Sequence, residues 1–213
     1  MKNGPLFFLG LVIALGFSWV AIVLGSQAQL GSLAPYFDDT ENSTYPAWMP
    51  GVAAEGEIVY KAQGCAACHT QQVRRPGFGV DDQRGWGDRQ SVARDYIYEP
   101  APQLGENRIG PDLRNVGGRK TPYDAQDLYT LLYRGHGGMP AYAFLFDKSK
   151  VIGQVSDHAL NLVGPDKAPV GYQIVPTLKA RLLVAYLLNL NSTYDYPEAK
   201  PVADAPKEGE KKK

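Results

Sequence analysis

The most reactive groups of this chain fall in five consecutive residues, Cys65-Ala66-Ala67-Cys68-His69. They include both cysteines of the 213-residue sequence and one of its three histidines. Two thiols three positions apart, followed at once by an imidazole, form the C-x-x-C-H arrangement that attaches a c-type haem. The thiols would add to the two vinyl groups on one porphyrin edge, and His69 would come under the iron as proximal ligand. Three other chemistries use the same residues. A thioredoxin-like thiol pair belongs with a βαβ pattern, and none follows here. A zinc site needs four ligands and, with no further cysteine, would have to recruit two of His69, His136 and His158, or a carboxylate. A disulfide inside C-x-x-C would be strained. One covalently held haem c is therefore the expected cofactor.

A low-spin iron needs a sixth ligand, and Met49, Met139, His136 and His158 are the candidates. Met49 precedes the cysteine motif in a polar stretch, and a buried methionine is ordinarily core filler. Met139 lies in Gly137-Gly138-Met139-Pro140-Ala141-Tyr142, a loop that glycines and a proline would shape to present a thioether. His136, three residues earlier, is its competitor. Met139 is the expected ligand. A thioether opposite an imidazole raises the reduction potential and leaves no open position, which suits electron transfer rather than substrate binding.

The elements that must position these groups read as mainly α. Residues 51–63 carry Val52, Val59 and Tyr60 with small Gly56, a helix that Gly64 would stop just before Cys65. Thr121-Pro122 would open a second helix with Leu128, Leu131 and Leu132 on one side and Gly135 after it. Pro176 would open a third, with Leu178, Leu182, Ala185 and Tyr186 at helical spacing. Residues 91–99 suit a short fourth helix. Residues 151–155 and 172–175 could pair as a small hairpin.

Residues 6–24 read LFFLGLVIALGFSWVAIVL, without a charge. At about 1.5 Å per residue they would span roughly 28 Å, close to the hydrocarbon thickness of a bilayer. Trp19 falls where an interfacial aromatic would sit. Lys2 and the α-amine before the span favour an inside N-terminus, with everything after residue 25 outside. A cleaved signal peptide is the rival, since Ser26-Gln27-Ala28 is a tolerable cleavage site, but its apolar region is normally shorter. The expected organisation is a transmembrane anchor at 1–25, a turn-rich polar stalk at 26–50, a helical haem domain at 51–191 and a charged, disordered tail at 192–213. Lys and Arg total 22, as do Asp and Glu, so the formal net charge is zero. That balance gives no case for a nucleic-acid partner. The chain also lacks the histidine cluster of a haem–copper centre, so no oxygen chemistry of its own is expected.

The order Gly56…Tyr60…Cys65-x-x-Cys68-His69, Gly110-Pro111-Asp112-Leu113, Met139-Pro140, then a helix with Ala185-Tyr186-Leu187, resembles class I cytochrome c domains. The stretches at 68–76, 87–99 and 108–119, together with Met139-Pro140-Ala141-Tyr142, resemble more narrowly the monohaem subunit II of cbb3-type cytochrome c oxidases. The likeness is good over 51–142 and looser in the last helix. It implies thioethers at Cys65 and Cys68, and axial ligation by His69 and Met139. It also implies that the Pro111 carbonyl accepts the His69 N–H, and that Arg119 lies near a haem propionate. Arg74, Arg75 and Trp86 would lie near the haem edge or at a subunit contact.

The resemblance further implies a single-pass protein of the bacterial inner membrane with its haem domain on the periplasmic side. Electrons would come from a dihaem cytochrome c subunit or a soluble cytochrome c and pass to the integral-membrane catalytic subunit. A free-standing anchored shuttle, or a subunit of another respiratory complex, is the alternative. The chain departs from the family in residues 147–173, an irregular insertion, and in its charged C-terminus.

Overall fold

The computed structural model describes residues 3–199. Lys2 and most of the expected tail, including Lys211 to Lys213, lie outside the described residues. The chain divides into two compact units: residues 1–46 with 93–98, and residues 47–92 with 99–213.

The first unit is built on one long helix, α1 (Gly4–Leu30), of mean hydropathy 2.6, long and apolar enough to cross a membrane. Pro5 stands in its first turn, where a missing N–H costs nothing. Residues Val20–Leu24 widen to π-helical geometry before the α-helix resumes. The helix thus runs five residues into the segment expected to be stalk, because nothing between Gly25 and Leu30 breaks it. Strands β1 (Tyr36–Asp38) and β2 (Ser43–Tyr45) then form a small antiparallel hairpin with Phe37 opposite Thr44. The Asp38 carboxylate accepts the Thr40 N–H at 2.7 Å and shapes the turn. In place of a helix over 91–99 there is one 3₁₀ turn, Ala93–Tyr96, whose Arg94 donates to the Ala34 carbonyl.

The second unit is helical around one apolar core. Helix α2 (Gly51–Ala62) ends as expected, with Gly64 in left-handed conformation, φ 70°, and the chain turns at once into a 3₁₀ turn at Cys65–Ala67. Helix α3 (Ala125–Arg134) starts three residues later than Pro122 suggests. The Asp124 side chain accepts the Asp127 N–H at 2.7 Å and Asp127 answers at the Asp124 N–H, a capping box that outcompetes the proline as a start signal. Helix α4 (Leu178–Asn189) begins after Thr177, whose hydroxyl caps it, while Pro176 belongs to the preceding strand.

Helices α2 and α4 cross in direct contact. A Cβ on Gly56 would stand 2.0 Å from the Leu182 carbonyl oxygen, so only glycine permits this approach. The crossing selects the buried faces. Helix α2 buries Ala53, Gly56, Val59 and Tyr60, leaving Val52 exposed; α4 buries Ala180, Leu183, Val184, Tyr186 and Leu187, leaving Leu178 exposed. The expected faces were therefore partly misplaced. Deep in the crossing the Gln71 amide donates to the Tyr186 hydroxyl at 2.9 Å.

The hairpin forms from a different first strand than expected: β3 (Phe146–Lys150) pairs antiparallel with β4 (Tyr172–Pro176), Lys148 opposite Ile174. Residues 151–155 hold Gly153 at φ 79° and an exposed Ile152, which suits a turn better than a ladder. The insertion at 147–173 is pinned rather than loose. Its Leu160 N–H donates to the Ile174 carbonyl at 2.9 Å, Leu160 and Leu162 join the core, and Arg134 holds the Val163 carbonyl at 2.6 Å. The expected tail overlaps the described residues at 192–199, where Ser192, Tyr196 and Ala199 are buried. Arg89 donates to the Tyr194 carbonyl at 2.7 Å, so the packed chain continues beyond Asn191.

Candidate functional site

The reactive pentapeptide follows the end of α2 directly. The His69 N–H donates to the Cys65 carbonyl at 3.0 Å, so one short turn carries both thiols and the imidazole. Both cysteines are free and half-buried. Burial pushes the Cys65 thiol up to about 11.

His69 Nδ1 lies 2.8 Å from the Pro111 carbonyl oxygen. That carbonyl has no proton to give, so Nδ1 carries the hydrogen and donates. The tautomer is then fixed, and the Nε2 lone pair is left for a metal. Glycines make room for the ring and its backbone. A Cβ on Gly110 would stand 2.3 Å from His69 Cε1, and one on Gly105, at φ 82°, would stand 2.2 Å from the His69 carbonyl oxygen. The Gly110 N–H returns to the Cys68 carbonyl at 2.9 Å.

The Pro111 peptide sits in a buried polar cluster. The Asp112 carboxylate accepts from the Thr70 hydroxyl at 2.6 Å and from the backbone N–H groups of Gln72 and Arg114 at 2.8 and 2.9 Å. Arg108 grips Asp81 with both terminal nitrogens, reaches Asp112 Oδ2 at 3.4 Å and donates to the Gln72 carbonyl at 2.7 Å. Burial alone would raise the Asp81 carboxyl, but donation from Arg108 and from the Arg74 N–H brings it net below its ordinary value.

Arg119 donates to the Asp112 carbonyl, and its Nε is buried without a hydrogen-bond partner. Burial pulls its guanidinium below its ordinary value. Among the other residues singled out earlier, Arg75 lies exposed with its guanidinium 3.9 Å over the Phe78 ring. Trp86 is half-buried beneath Arg84 and Arg108.

Of the four candidates for a sixth ligand, His136 and His158 are exposed, and Met49 and Met139 are half-buried against the core. Met139 tops a tight turn after α3, with paired backbone hydrogen bonds to His136 at 2.9 and 3.3 Å. Gly135 and Gly137 supply the left-handed φ angles of 69° and 57° that the turn needs. The Tyr142 N–H then ties the loop to the Leu132 carbonyl at 2.7 Å. Burial, with the Cys65 and Cys68 thiols within electrostatic reach, raises the Tyr142 hydroxyl. Met139, Tyr142 and Cys65 pack against the same apolar core, as does Met49.

Two thiols, an imidazole with a free Nε2, a thioether on a loop against the same core and an Arg with an unpartnered buried N–H together fit a covalently held haem. Sequence reasoning found each of these groups, but it missed Thr70, Asp81, Arg108 and Asp112. For Arg108 and Asp112 the visible signal was charge inside 108–114, which reads equally well as a solvated loop.

A helical domain with this motif at the end of its first helix, preceded by an apolar helix able to cross a membrane, has the architecture of an anchored c-type cytochrome. The chain belongs to the family described as cytochrome c oxidase, mono-heme subunit/FixO, whose model matches residues 15–177. This is the monohaem cytochrome c subunit of cbb3-type oxidases. No curated protein matches the chain.

Proposed function

We propose that the chain relays single electrons to the catalytic subunit of a cbb3-type oxidase, using one haem c attached through Cys65 and Cys68. The apolar helix α1 anchors it in the bacterial inner membrane, and the helical domain stands on the periplasmic side. A dihaem cytochrome c subunit or a soluble cytochrome c is the donor.

When bound, the haem would supply a one-electron iron couple, which His69 and Met139 would hold. His69 offers Nε2 to the iron while Pro111 holds Nδ1–H, which orients the ring and raises its basicity. Met139 offers a soft sulfur that favours the ferrous state. The Arg119 Nε, buried and without a protein acceptor, suits a propionate. The observation that carries the reading is the 2.8 Å His69–Pro111 contact beside two free thiols.

The pyridine haemochrome spectrum and mass of the purified chain test it. The expected result is one covalently bound haem, and a mass equal to the polypeptide alone overturns the assignment. Met139→Ala is expected to lower the reduction potential or to admit exogenous ligands. Unchanged spectra would move the sixth ligand to His136.

A further inference from the structure

We propose that the buried cluster of Thr70, Asp81, Arg108 and Asp112 positions the proximal imidazole, by fixing the Pro111 carbonyl that His69 donates to. This rests on the reading of His69 as an iron ligand and goes beyond it, because none of the four residues touches a haem ligand through its side chain.

Pro111 needs outside support. It has no N–H, it is exposed, and residues 108–114 form neither helix nor strand, so no ladder holds its carbonyl in place. Its neighbours are held instead. The Gly110 N–H donates to the Cys68 carbonyl at 2.9 Å, and the Leu113 N–H to the Thr70 carbonyl at 2.8 Å. Between them Asp112 is fixed at both ends: its carboxylate by Thr70, Gln72, Arg114 and Arg108, its carbonyl by Arg119. All but the three arginines among these partners lie in 68–72, the segment that begins with the second thiol and the imidazole. The acceptor is thus referenced to the same stretch of backbone that carries the donor.

Arg108 adds a second brace. It joins that stretch, through the Gln72 carbonyl, to Asp81 in the next loop. Asp112 is 0% exposed and Asp81 1%. Two buried carboxylates are costly to desolvate, and replacing such an ion cluster with apolar packing is often neutral or stabilising. A loop that needed only to be fastened would not require them. Hydrogen bonds to charged groups are short and directional, and so define a carbonyl's direction more tightly than apolar contacts do.

Reduction potential separates positioning from fastening, because a loosened His69–Pro111 bond makes the imidazole a poorer donor and favours ferrous iron. The measurements are midpoint potential, solvent exchange of the His69 ring N–H by NMR, and melting temperature, on the haem-loaded full chain. Thr70→Val removes one donor to Asp112 without changing charge. It is expected to raise the potential and speed ring N–H exchange. Asp112→Asn is expected to do the same more strongly, and if it fails to fold, Arg108→Lys replaces it, keeping the charge while losing the two-pronged grip. Lower melting temperatures with potential and exchange at wild-type values would make the cluster a loop fastening only and overturn the proposal. A shift in Asp112→Asn with Thr70→Val silent would be a through-space effect of charge and would overturn it too. Wild-type protein without covalent haem would instead refute the underlying reading of the site.

Discussion

Replacing Gly110 with alanine tests the proximal geometry most directly. The added Cβ would lie 2.3 Å from His69 Cε1, 2.7 Å from Nδ1 and 2.9 Å from Nε2. Non-bonded carbons settle at about 3.5–4.0 Å, so the ring must retreat by roughly 1 Å or more. The Nδ1–Pro111 contact, now 2.8 Å, cannot survive such a move. Overpacking of this kind costs about 1–3 kcal/mol, and the lost hydrogen bond adds about 0.5–1.5 kcal/mol. The sum, about 1.5–4.5 kcal/mol, corresponds to a fall in melting temperature of roughly 3–18 °C for a domain of this size. The potential should rise as well. Each kcal/mol of that hydrogen bond that distinguishes ferric from ferrous iron is worth about 40 mV in a one-electron couple. The assay is a thermal melt followed at the haem absorbance, paired with a potentiometric titration. A variant melting within about 2 °C of wild type at an unchanged potential would refute the idea that Gly110 makes room for a hydrogen-bonded imidazole.

Two further predictions concern the rest of the domain. Gly56→Ala would drive a Cβ to 2.0 Å from the Leu182 carbonyl oxygen, and should cost about 3 kcal/mol or more in urea unfolding as α2 and α4 are forced apart; near-wild-type stability would show that the helices do not cross there. The Asp81 carboxyl is held below its ordinary value of 3.8, so the stability it provides is complete above that pH and drains away as the pH falls through the lowered native value. The stability gap between wild type and Asp81→Asn should therefore stay flat from pH 7 to 5 and close only below about 4; a gap that begins closing near neutrality would contradict the Asp81–Arg108 pairing.

Local chemistry made most of the site readable. The C-x-x-C-H pentapeptide, the glycine-proline setting of Met139 and Gly64 as a helix stop are all short-range signals; Gly64 does end the helix at φ 70°, and Met139 does stand in a glycine-flanked turn. What failed needed long-range knowledge. The buried faces of α2 and α4 follow from the close crossing at Gly56, so Val52 and Leu178 lie exposed although their apolar character and spacing suggested the core. Strand β3 replaced 151–155 because Phe146 could be buried while Gly153 could not extend a ladder. The Asp112 cluster joins residues about forty positions apart in sequence. Single charged side chains in a loop carry no pattern that announces such a meeting.

The two sides of the proposed iron site are built to unequal strength. Beneath it, the imidazole leans on a web of buried ionic and backbone bonds. The sulfur, by contrast, is carried by a glycine-flanked turn held by backbone bonds alone, two within it and one from Tyr142 to Leu132, with His136 open to water. Such an asymmetry makes one face a foundation and the other a shutter. If the proposed ligation holds, the thioether should leave under heat, denaturant or alkali while the histidine stays seated, and the potential of the proposed centre should fall before any haem is released.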